Sequence, residues 1–308
     1  MSLLPAKDLP PRLIFLHVPK TGGLTLRWIM RRELGRRRVL TPPGRKDAHR
    51  AEYVRYLEEG GAPPLAPLRE YVDGLLRLPP QRLAAVRGLV GHFWFGLHEE
   101  LPGPSAYLTV LRDPIDRILS TYHHRSTRHG LSLSVEEYIR SERDVQMDNN
   151  QVRRLAATLD LDTRVGPCTP EMLARAKRNL ERSFVAVGLT ERYDEFLLLL
   201  RARLGWRRVT YERMNTSQGR PRREDLSAGA LRILEDHNRH DLELLEHVRG
   251  SFDRQLAALD IDVERELERF RRRNAGYGRI APLVRGARVG LWRLRHPSRR
   301  DREPVATA

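Results

Sequence analysis

Apolar runs of strand length alternate along the chain with segments whose apolar residues recur at helical spacing. The clearest run, residues 12–18 (RLIFLHV), precedes a glycine turn and then a helical pattern formed by Leu26, Ile29, Met30 and Leu34. A continuous apolar run is typical of a strand buried on both faces, and a spacing of three to four residues is typical of an amphipathic helix. Further strands are predicted at residues 83–92, 106–111 and 184–188, and a short one at residues 209–212.

Helical patterns fill most of the chain between and after these runs. Residues 41–80 are rich in proline, glycine and charge, and they predict an excursion over the surface with two short helices. Strands that alternate with helices favour a mostly parallel sheet. The pattern therefore predicts an α/β fold with four or five parallel strands, helices on both faces and a helical C-terminal portion. Helices are predicted at residues 114–122, 134–141, 149–159, 170–182, 191–204, 227–248 and 252–270.

The composition is that of a folded globular protein. Of the 308 residues, 40% are hydrophobic and 31% are charged, which excludes a collagen, a mucin or a fully disordered chain. No apolar run reaches the roughly 18–20 residues that a membrane span needs, and Lys7 and Asp8 stand where an export signal would be apolar. The single cysteine, Cys168, fits a reducing compartment. These features predict a cytoplasmic location.

The charge distribution is uneven. The net charge is +16, and only four of the 56 basic residues are lysines. Residues 271–308 contain 11 arginines and two acidic residues, so this segment alone carries +9. A basic surface favours anionic partners such as nucleotides, acidic glycans, nucleic acid or lipid head groups, and charge alone does not choose among them.

The first candidate site is the sequence HVPKTGGLTL, residues 17–26. A glycine-rich turn that enters a helix offers backbone N–H groups and the positive end of the helix dipole to a phosphate. Gly22 and Gly23 permit close approach of the backbone, Lys20 adds a positive charge, and Thr21 and Thr25 add hydroxyls. In an ATP-binding kinase loop the lysine follows the glycines, whereas here it precedes them. The alternative interpretation is an ordinary helix start with a chance lysine.

The second candidate site is LTVLRDPIDRILSTY, residues 108–122. Arg112 ends a predicted strand, and Asp113 followed by Pro114 has the chemistry of a helix start. Ser120 lies seven residues after Asp113, which is about two helical turns, so it returns to the same helix face. Arg112 and Ser120 are therefore predicted to hold one anion, since the guanidinium matches phosphate geometry. The alternative is a structural arginine paired with Asp113 or Asp116.

These two motifs resemble those of sulfotransferases that use 3′-phosphoadenosine 5′-phosphosulfate (PAPS), and among them the carbohydrate branch that includes the heparan sulfate O-sulfotransferases. The resemblance implies a P-loop-type sheet, PAPS as donor with no metal, and a hydroxyl acceptor that is a carbohydrate or glycolipid. One departure is Leu24, where relatives often carry Thr or Ser. The implied donor-binding residues are Lys20, Thr21, Gly22, Gly23, Leu24, Thr25, Arg112 and Ser120, with Thr216 and Ser217 in a closing loop at residues 213–221.

A histidine is the candidate general base. His92 ends the predicted strand before that of Arg112, so both are expected at the same edge of the sheet. In relatives of the heparan sulfate 2-O type a Gly-His pair supplies the base, and Gly91-His92 resembles it. Lys20 is the second catalytic candidate, placed to neutralise the leaving phosphate. His98 and Glu99 are reserve candidates for the base, and a packed structural histidine is the alternative for His92.

Three further expectations concern the whole chain. We expect one sulfotransferase domain at residues 1–273, with its core at about residues 12–249, and a basic tail at residues 274–308. The pattern of the tail predicts an amphipathic helix on a membrane surface, and the alternatives are a disordered segment or a tail docked on the body of the protein. Two functions compete with sulfuryl transfer: a kinase-like phosphotransferase, and a basic protein that binds nucleic acid or membrane. No specific nucleic-acid partner is expected.

Overall fold

A five-stranded, fully parallel sheet forms the centre of the protein. The computed structural model describes residues 12–41, 47–63, 70–158, 163–164, 166–212 and 219–295. Its strands lie in the order β2-β3-β1-β4-β5, so the predicted α/β class with four or five parallel strands is confirmed. The strands are β1 (Arg12–Leu16), β2 (Val39–Leu40), β3 (Gly88–Gly91), β4 (Ser105–Leu111) and β5 (Phe184–Leu189).

Strand β1 occupies the middle of the sheet, and all five of its residues are buried. It pairs with β3 on one side, where Leu16 lies opposite Gly91, and with β4 on the other, where Phe15 lies opposite Leu108. The chain thus builds one half of the sheet before it crosses β1 to build the other. In such sheets the crevice for ligands lies beyond the carboxyl ends of the strands, where the direction of winding reverses.

Two strand predictions are wrong in detail. Residues 209–212 form no strand, and the fifth strand is instead the short β2 beside β3. The predicted strand at residues 83–92 begins only at Gly88, because Pro80–Ala84 form a short helix that starts with proline.

Helices flank the sheet and continue beyond it. The predicted pair at residues 227–248 and 252–270 is three helices instead, because Asn238 leaves helical geometry and its amide donates to the carbonyls of Met147 and Leu234 at 2.6 and 2.8 Å. The helices are α1 (Gly23–Leu34), α2 (Asp47–Glu59), α3 (Glu70–Leu76), α4 (Pro80–Ala84), α5 (Pro114–His129), α6 (Val135–Ser141), α7 (Asn150–Ala156), α8 (Pro170–Ser183), α9 (Tyr193–Leu204), α10 (Ala228–His237), α11 (Arg239–Ala257) and α12 (Val263–Arg295).

Helix α12 runs through the predicted boundary between residues 273 and 274. The side chains that carry the predicted amphipathic pattern, from Ile280 onward, lie outside the described residues. Within the described part of the chain, no helix combines the length and hydropathy that crossing a bilayer requires. The division into a domain and a tail stays a prediction.

A second apolar core packs beside the sheet and contains residues of α2, α5, α6 and α10. It is organised around the buried carboxylate of Asp144, which accepts hydrogen bonds from the Tyr53 hydroxyl at 3.0 Å and from the Tyr138 hydroxyl. Arg125 forms an ion pair with Asp144, and its guanidinium lies 4.7 Å from the centre of the Tyr53 ring. Because Tyr53 belongs to α2, this cluster attaches the surface excursion to α5.

Asp144→Asn should destabilise the protein by about 3–5 kcal/mol, since it leaves the Arg125 charge buried without its counter-ion. The measurement is urea unfolding followed by circular dichroism. Asp253→Asn is the matched control, because Asp253 forms an exposed ion pair with Arg192, and such pairs contribute about 1 kcal/mol or less. Equal losses in the two variants would contradict this account of the second core.

Candidate active site

Four strands end at one edge of the sheet and bring their following residues together. These residues are the glycine loop after β1 (residues 17–22), His92 after β3, Arg112 after β4 and Thr190 after β5. The Thr190 hydroxyl donates to the carbonyl of Leu111 at 3.1 Å and is 3.4 Å from the carbonyl of Thr21. Thr190 therefore joins the ends of three strands at this edge.

The glycine loop is held in shape by its own side chains and by α9. The buried Thr21 hydroxyl donates to the carbonyl of Val18 at 2.9 Å, so it stabilises the turn. Lys20 and Gly22 both have positive φ, 68° and 82°, and such a conformation is costly for a residue other than glycine. The Tyr193 hydroxyl donates to the carbonyl of Gly22 at 3.2 Å. A strained lysine held in a tight turn is typical of a functional site.

Helix α1 begins directly after the glycine loop and has no side-chain cap. Gly22 is the N-cap residue, and no side chain caps the first turn of α1. The first N–H groups of α1 and the positive end of its dipole therefore lie at this edge without a side-chain cap. Gly23 is required by packing, because a Cβ atom there would lie 2.0 Å from Nε2 of His17. Thr25 and Leu24 lie in the first turn and are half-buried.

Arg112 connects the two sequence motifs. Its Nη1 atom donates to the carbonyl of Lys20 at 3.0 Å, which brings the end of β4 against the glycine loop. Ser120 lies on α5 and is 6% exposed. Asp113 is the N-cap of α5 and accepts from the N–H of Asp116 at 3.0 Å, and it forms an ion pair with Arg223 at 2.5 Å. Asp113 therefore pairs with Arg223, whereas the Arg112 guanidinium contacts the glycine loop.

Four cations converge on the glycine loop. Burial, followed by the charges of Arg112, Arg128 and Arg220, lowers the pKa of Lys20. Burial and the charge of Arg220 likewise lower the pKa of Arg112. Among the described residues, none of the four cations forms a salt bridge with a carboxylate. Like charges held together in this way fit a ligand that carries several negative charges.

His92 stands beside the loop at the end of β3, exposed to solvent. Its Nδ1 atom lies 2.8 Å from the backbone carbonyl of His17. A carbonyl only accepts, so Nδ1 carries a proton, and whenever the ring is neutral its lone pair is on Nε2. The rings of His92 and His17 are 4.4 Å apart. Burial, then the charges of His92, Arg154, Arg27 and Lys20, hold the pKa of His17 well below its usual value.

The reserve candidates lie elsewhere. His98 packs against Tyr107, with Nδ1 3.1 Å from the Tyr107 hydroxyl. Tyr107 precedes Arg112 by five residues of extended chain, which is about 17 Å. His98 is therefore remote from the edge that carries the glycine loop, and Glu99 follows it in the same short helical turn.

Helix α5 adds one more titratable group near the loop. His124 lies one helical turn beyond Ser120. Desolvation, then the charge of Lys20 and of neighbouring basic residues, lowers the pKa of His124 to about 4. His124 is therefore neutral near pH 7.

A cavity of about 400 Å³ opens on the β4–β5 side of this edge. Polar and charged side chains line it, namely Arg112, Asp113, Asp116, Thr190, Glu191, Arg223 and Arg249. Arg249 pairs with Glu191 at 3.1 Å across the cavity wall. His92 follows β3, on the other side of β1 from this cavity, and is not among its lining residues.

The structure gives contacts to residues whose roles the sequence did not specify. Thr190 and Tyr193 hold the glycine loop, and both belong to residues 187–200, a segment that also resembles a late segment of the sulfotransferases. Arg220, which belongs to the closing loop predicted at residues 213–221, acts on Lys20 through its charge. Gln151 contacts the backbone of Arg112 from a distant part of the chain and was not expected from the motifs. Thr216 and Ser217 lie outside the described residues, so their predicted role stays a prediction.

Comparison with known proteins decides the family. The model of the galactose-3-O-sulfotransferase family matches residues 2–282. The chain belongs to this family. Its membership confirms the predicted resemblance to carbohydrate sulfotransferases, and the kinase-like alternative is not favoured.

Individual relatives are similar at moderate identity. The chain is 26% identical to galactose-3-O-sulfotransferase 3 of Bos taurus over 88% of its own length and 65% of that protein. It is 27% identical to galactosylceramide sulfotransferase of Mus musculus over 95% and 69% of the two chains. A sulfotransferase structure from Alicyclobacillus acidocaldarius gives a TM-score of 0.40 at 16% identity, covering 77% of this chain and 95% of that one. The chain thus spans about two thirds of the length of these curated relatives.

The predicted cytoplasmic location is wrong. The relatives that the chain matches are Golgi-resident sulfotransferases rather than cytoplasmic enzymes. The single cysteine and the lack of a long apolar run were weak guides, because neither feature is confined to one compartment.

Gly23→Ala should destabilise the protein by about 1–3 kcal/mol, the usual cost of overpacking. The new methyl group would overlap the His17 ring, which stacks on Phe15 with ring centres 5.2 Å apart. Gly74→Ala is the matched control, since a Cβ atom there meets nothing within 4 Å. Urea unfolding measures both, together with the His17→Ala single variant and the His17→Ala/Gly23→Ala double variant. Strict additivity of the two site substitutions would contradict the overlap.

Proposed function

We propose that this protein transfers a sulfuryl group from PAPS to a hydroxyl group of a carbohydrate or glycolipid. Family membership supports the class of reaction, because the related proteins carry the names of sulfotransferases that act on galactose or galactosylceramide. The contact between Arg112 and the Lys20 carbonyl supports the choice of donor, because it brings two anion-binding motifs to one edge.

The residues present fit the donor. PAPS carries phosphate groups at both its 3′ and 5′ positions, and the charges of Arg112, Arg128 and Arg220 all act on Lys20 in the glycine loop. Lys20 and the first N–H groups of α1 would hold the 5′-phosphosulfate. Arg112 and Ser120 would hold the 3′-phosphate, since both belong to the β4–α5 junction. No residue in this assignment requires a metal ion.

The proposed chemistry is an in-line displacement at sulfur. The acceptor oxygen forms a bond to sulfur, the bond from sulfur to the bridging phosphate oxygen breaks, and adenosine 3′,5′-bisphosphate leaves with that electron pair. Lys20 and the α1 N-terminus stabilise the negative charge that develops on the leaving phosphate. Positioning and electrostatic stabilisation therefore supply most of the acceleration, as in phosphoryl transfer.

His92 is the proposed general base. Its Nδ1–H is engaged by the His17 carbonyl, so Nε2 is the atom that accepts the proton of the acceptor hydroxyl. His92 lies on the β3 side of the loop and the large cavity lies on the β4–β5 side. The acceptor therefore approaches past β3, while the nucleoside part of the donor occupies the opposite side.

The proposed acceptor is a carbohydrate or glycolipid that carries a free hydroxyl group. Galactose-terminated glycans and galactosylceramide are the natural first acceptors to assay, because the relatives are named for them. Contact of residues 274–308 with a membrane surface stays a prediction, and it would suit an acceptor borne on lipid.

The donor assignment predicts selectivity for a 3′-phosphate. Adenosine 3′,5′-bisphosphate should bind the wild-type protein about 10- to 100-fold more tightly than AMP, because a hydrogen bond to a charged group is worth about 1.5–3 kcal/mol. Isothermal titration calorimetry at constant ionic strength measures both ligands. Equal affinities would overturn the assignment of Arg112 and Ser120.

The base assignment predicts a split between binding and turnover. His92→Asn should bind adenosine 3′,5′-bisphosphate within a few-fold of wild type, while sulfuryl transfer from radiolabelled PAPS falls about 10²- to 10⁴-fold. His98→Asn is the matched control and should retain turnover, since His98 is remote from the edge. Wild-type turnover in His92→Asn would remove His92 from the mechanism, and loss of nucleotide binding would place it in the donor pocket.

A further inference from the structure

We infer that Gln151 is a positioning residue for the donor site, and that it sets the selectivity for the 3′-phosphate through the backbone of Arg112. The inference rests on the proposed function, since it assigns the 3′-phosphate to Arg112. Gln151 is fully buried in the first turn of α7. It lies 39 residues from Arg112 in the sequence and belongs to neither anion-binding motif.

The Gln151 amide forms two hydrogen bonds with one backbone residue. Its Oε1 atom accepts from the N–H of Arg112 at 3.0 Å, and its Nε2 atom donates to the carbonyl of Arg112 at 2.8 Å. This paired arrangement is the one that a neighbouring strand would make. The last residue of β4 that pairs with β5 is Leu111, so Gln151 replaces the sheet at the first residue beyond it.

The start of α7, which carries Gln151, is itself held by hydrogen bonds to α11. Its N–H donates to the buried carboxylate of Asp241 at 3.1 Å, and the next N–H, of Val152, donates to the same carboxylate at 2.7 Å. In return, Oδ1 of Asn149 accepts from the N–H groups of His240 and Asp241, both at 2.9 Å. The N-termini of α7 and α11 therefore cap each other, and Arg112 is tied through Gln151 to α11.

The backbone of Arg112 determines where its guanidinium lies. That guanidinium contacts the Lys20 carbonyl, so the arginine must leave β4 in one orientation to meet the loop. Asp113 follows directly as the N-cap of α5, and the chain turns there from strand to helix. Two hydrogen bonds from a buried amide prevent rotation of the peptide groups at this turn, and displacement of a binding group by about 1 Å is enough to lose much of its effect.

Gln151→Met tests this inference, because methionine has a similar volume and no amide. The matched control is Gln255→Met, which makes the same change at another buried glutamine. Gln255 lies on α11 and donates to the Ser251 hydroxyl at 3.0 Å, away from the glycine loop. Urea unfolding of both variants separates any loss of stability from the change in ligand selectivity.

Calorimetry with adenosine 3′,5′-bisphosphate and AMP is the decisive measurement. Gln151→Met should weaken the bisphosphate about 10-fold or more and AMP less than about threefold, so the preference for a 3′-phosphate shrinks. Gln255→Met should keep the wild-type preference. Equal weakening of both ligands, or an unchanged preference in Gln151→Met, would overturn the inference.

A double-variant cycle shows whether Gln151 acts through Arg112. In an Arg112→Ala background, Gln151→Met should change the affinity for the bisphosphate less than about twofold, because the group it positions is gone. A full additional 10-fold loss would show that Gln151 acts by another route. Failure of the proposed function has a different signature, since the wild type itself would then show no preference for the bisphosphate over AMP.

Discussion

The position of β1 between β3 and β4 is the constraint on which the rest of the site depends. Parallel pairing on both sides brings the carboxyl ends of these strands to one edge, so the glycine loop lies between His92 and Arg112. Neither neighbour is close to the loop in the sequence. The burial of all five residues of β1 stabilises this placement, because a slip of one residue would exchange the side chains between the two faces.

Concentrated positive charge is the second feature of the site, and repulsion between the cations disfavours the unliganded protein. Burial, followed by the charges of Arg112, Arg128 and Arg220, lowers the pKa of Lys20. A polyanionic donor would relieve this repulsion, so electrostatic energy that disfavours the unliganded site would favour binding. Burial, followed by the positive charges nearby, also lowers the pKa values of His17 and His124.

Buried polar groups carry the connection between the sheet edge and the helical C-terminal portion. Asp241 and Asn149 exchange hydrogen bonds with opposite helix N-termini, and Gln151 continues the chain of contacts to Arg112. Apolar packing alone tolerates small shifts, whereas paired hydrogen bonds in a dry interior are strongly directional. The helical portion therefore does more than cover the sheet, because it helps to position a residue of the candidate site.

The sequence by itself determined most local features: strands β1, β4 and β5, the glycine turn after β1, the helix start at Asp113 and the two candidate anion-binding motifs. Each depends on neighbours within a few residues, where apolar spacing, glycine and capping residues act directly. These were enough to place the chain among carbohydrate sulfotransferases. The inferred compartment was wrong because a cysteine count reflects redox chemistry only weakly.

Only the tertiary structure decided which distant groups meet. The break at Asn238 depends on the carbonyl of Met147, 91 residues away, and the support of Arg112 depends on Gln151 and Asp241. His98 was the reserve candidate for the base, and its contact with Tyr107 places it away from the edge that carries the glycine loop. Hydrogen bonds between residues far apart in the chain have no periodic signature, so their partners become evident only once the strands and helices have packed.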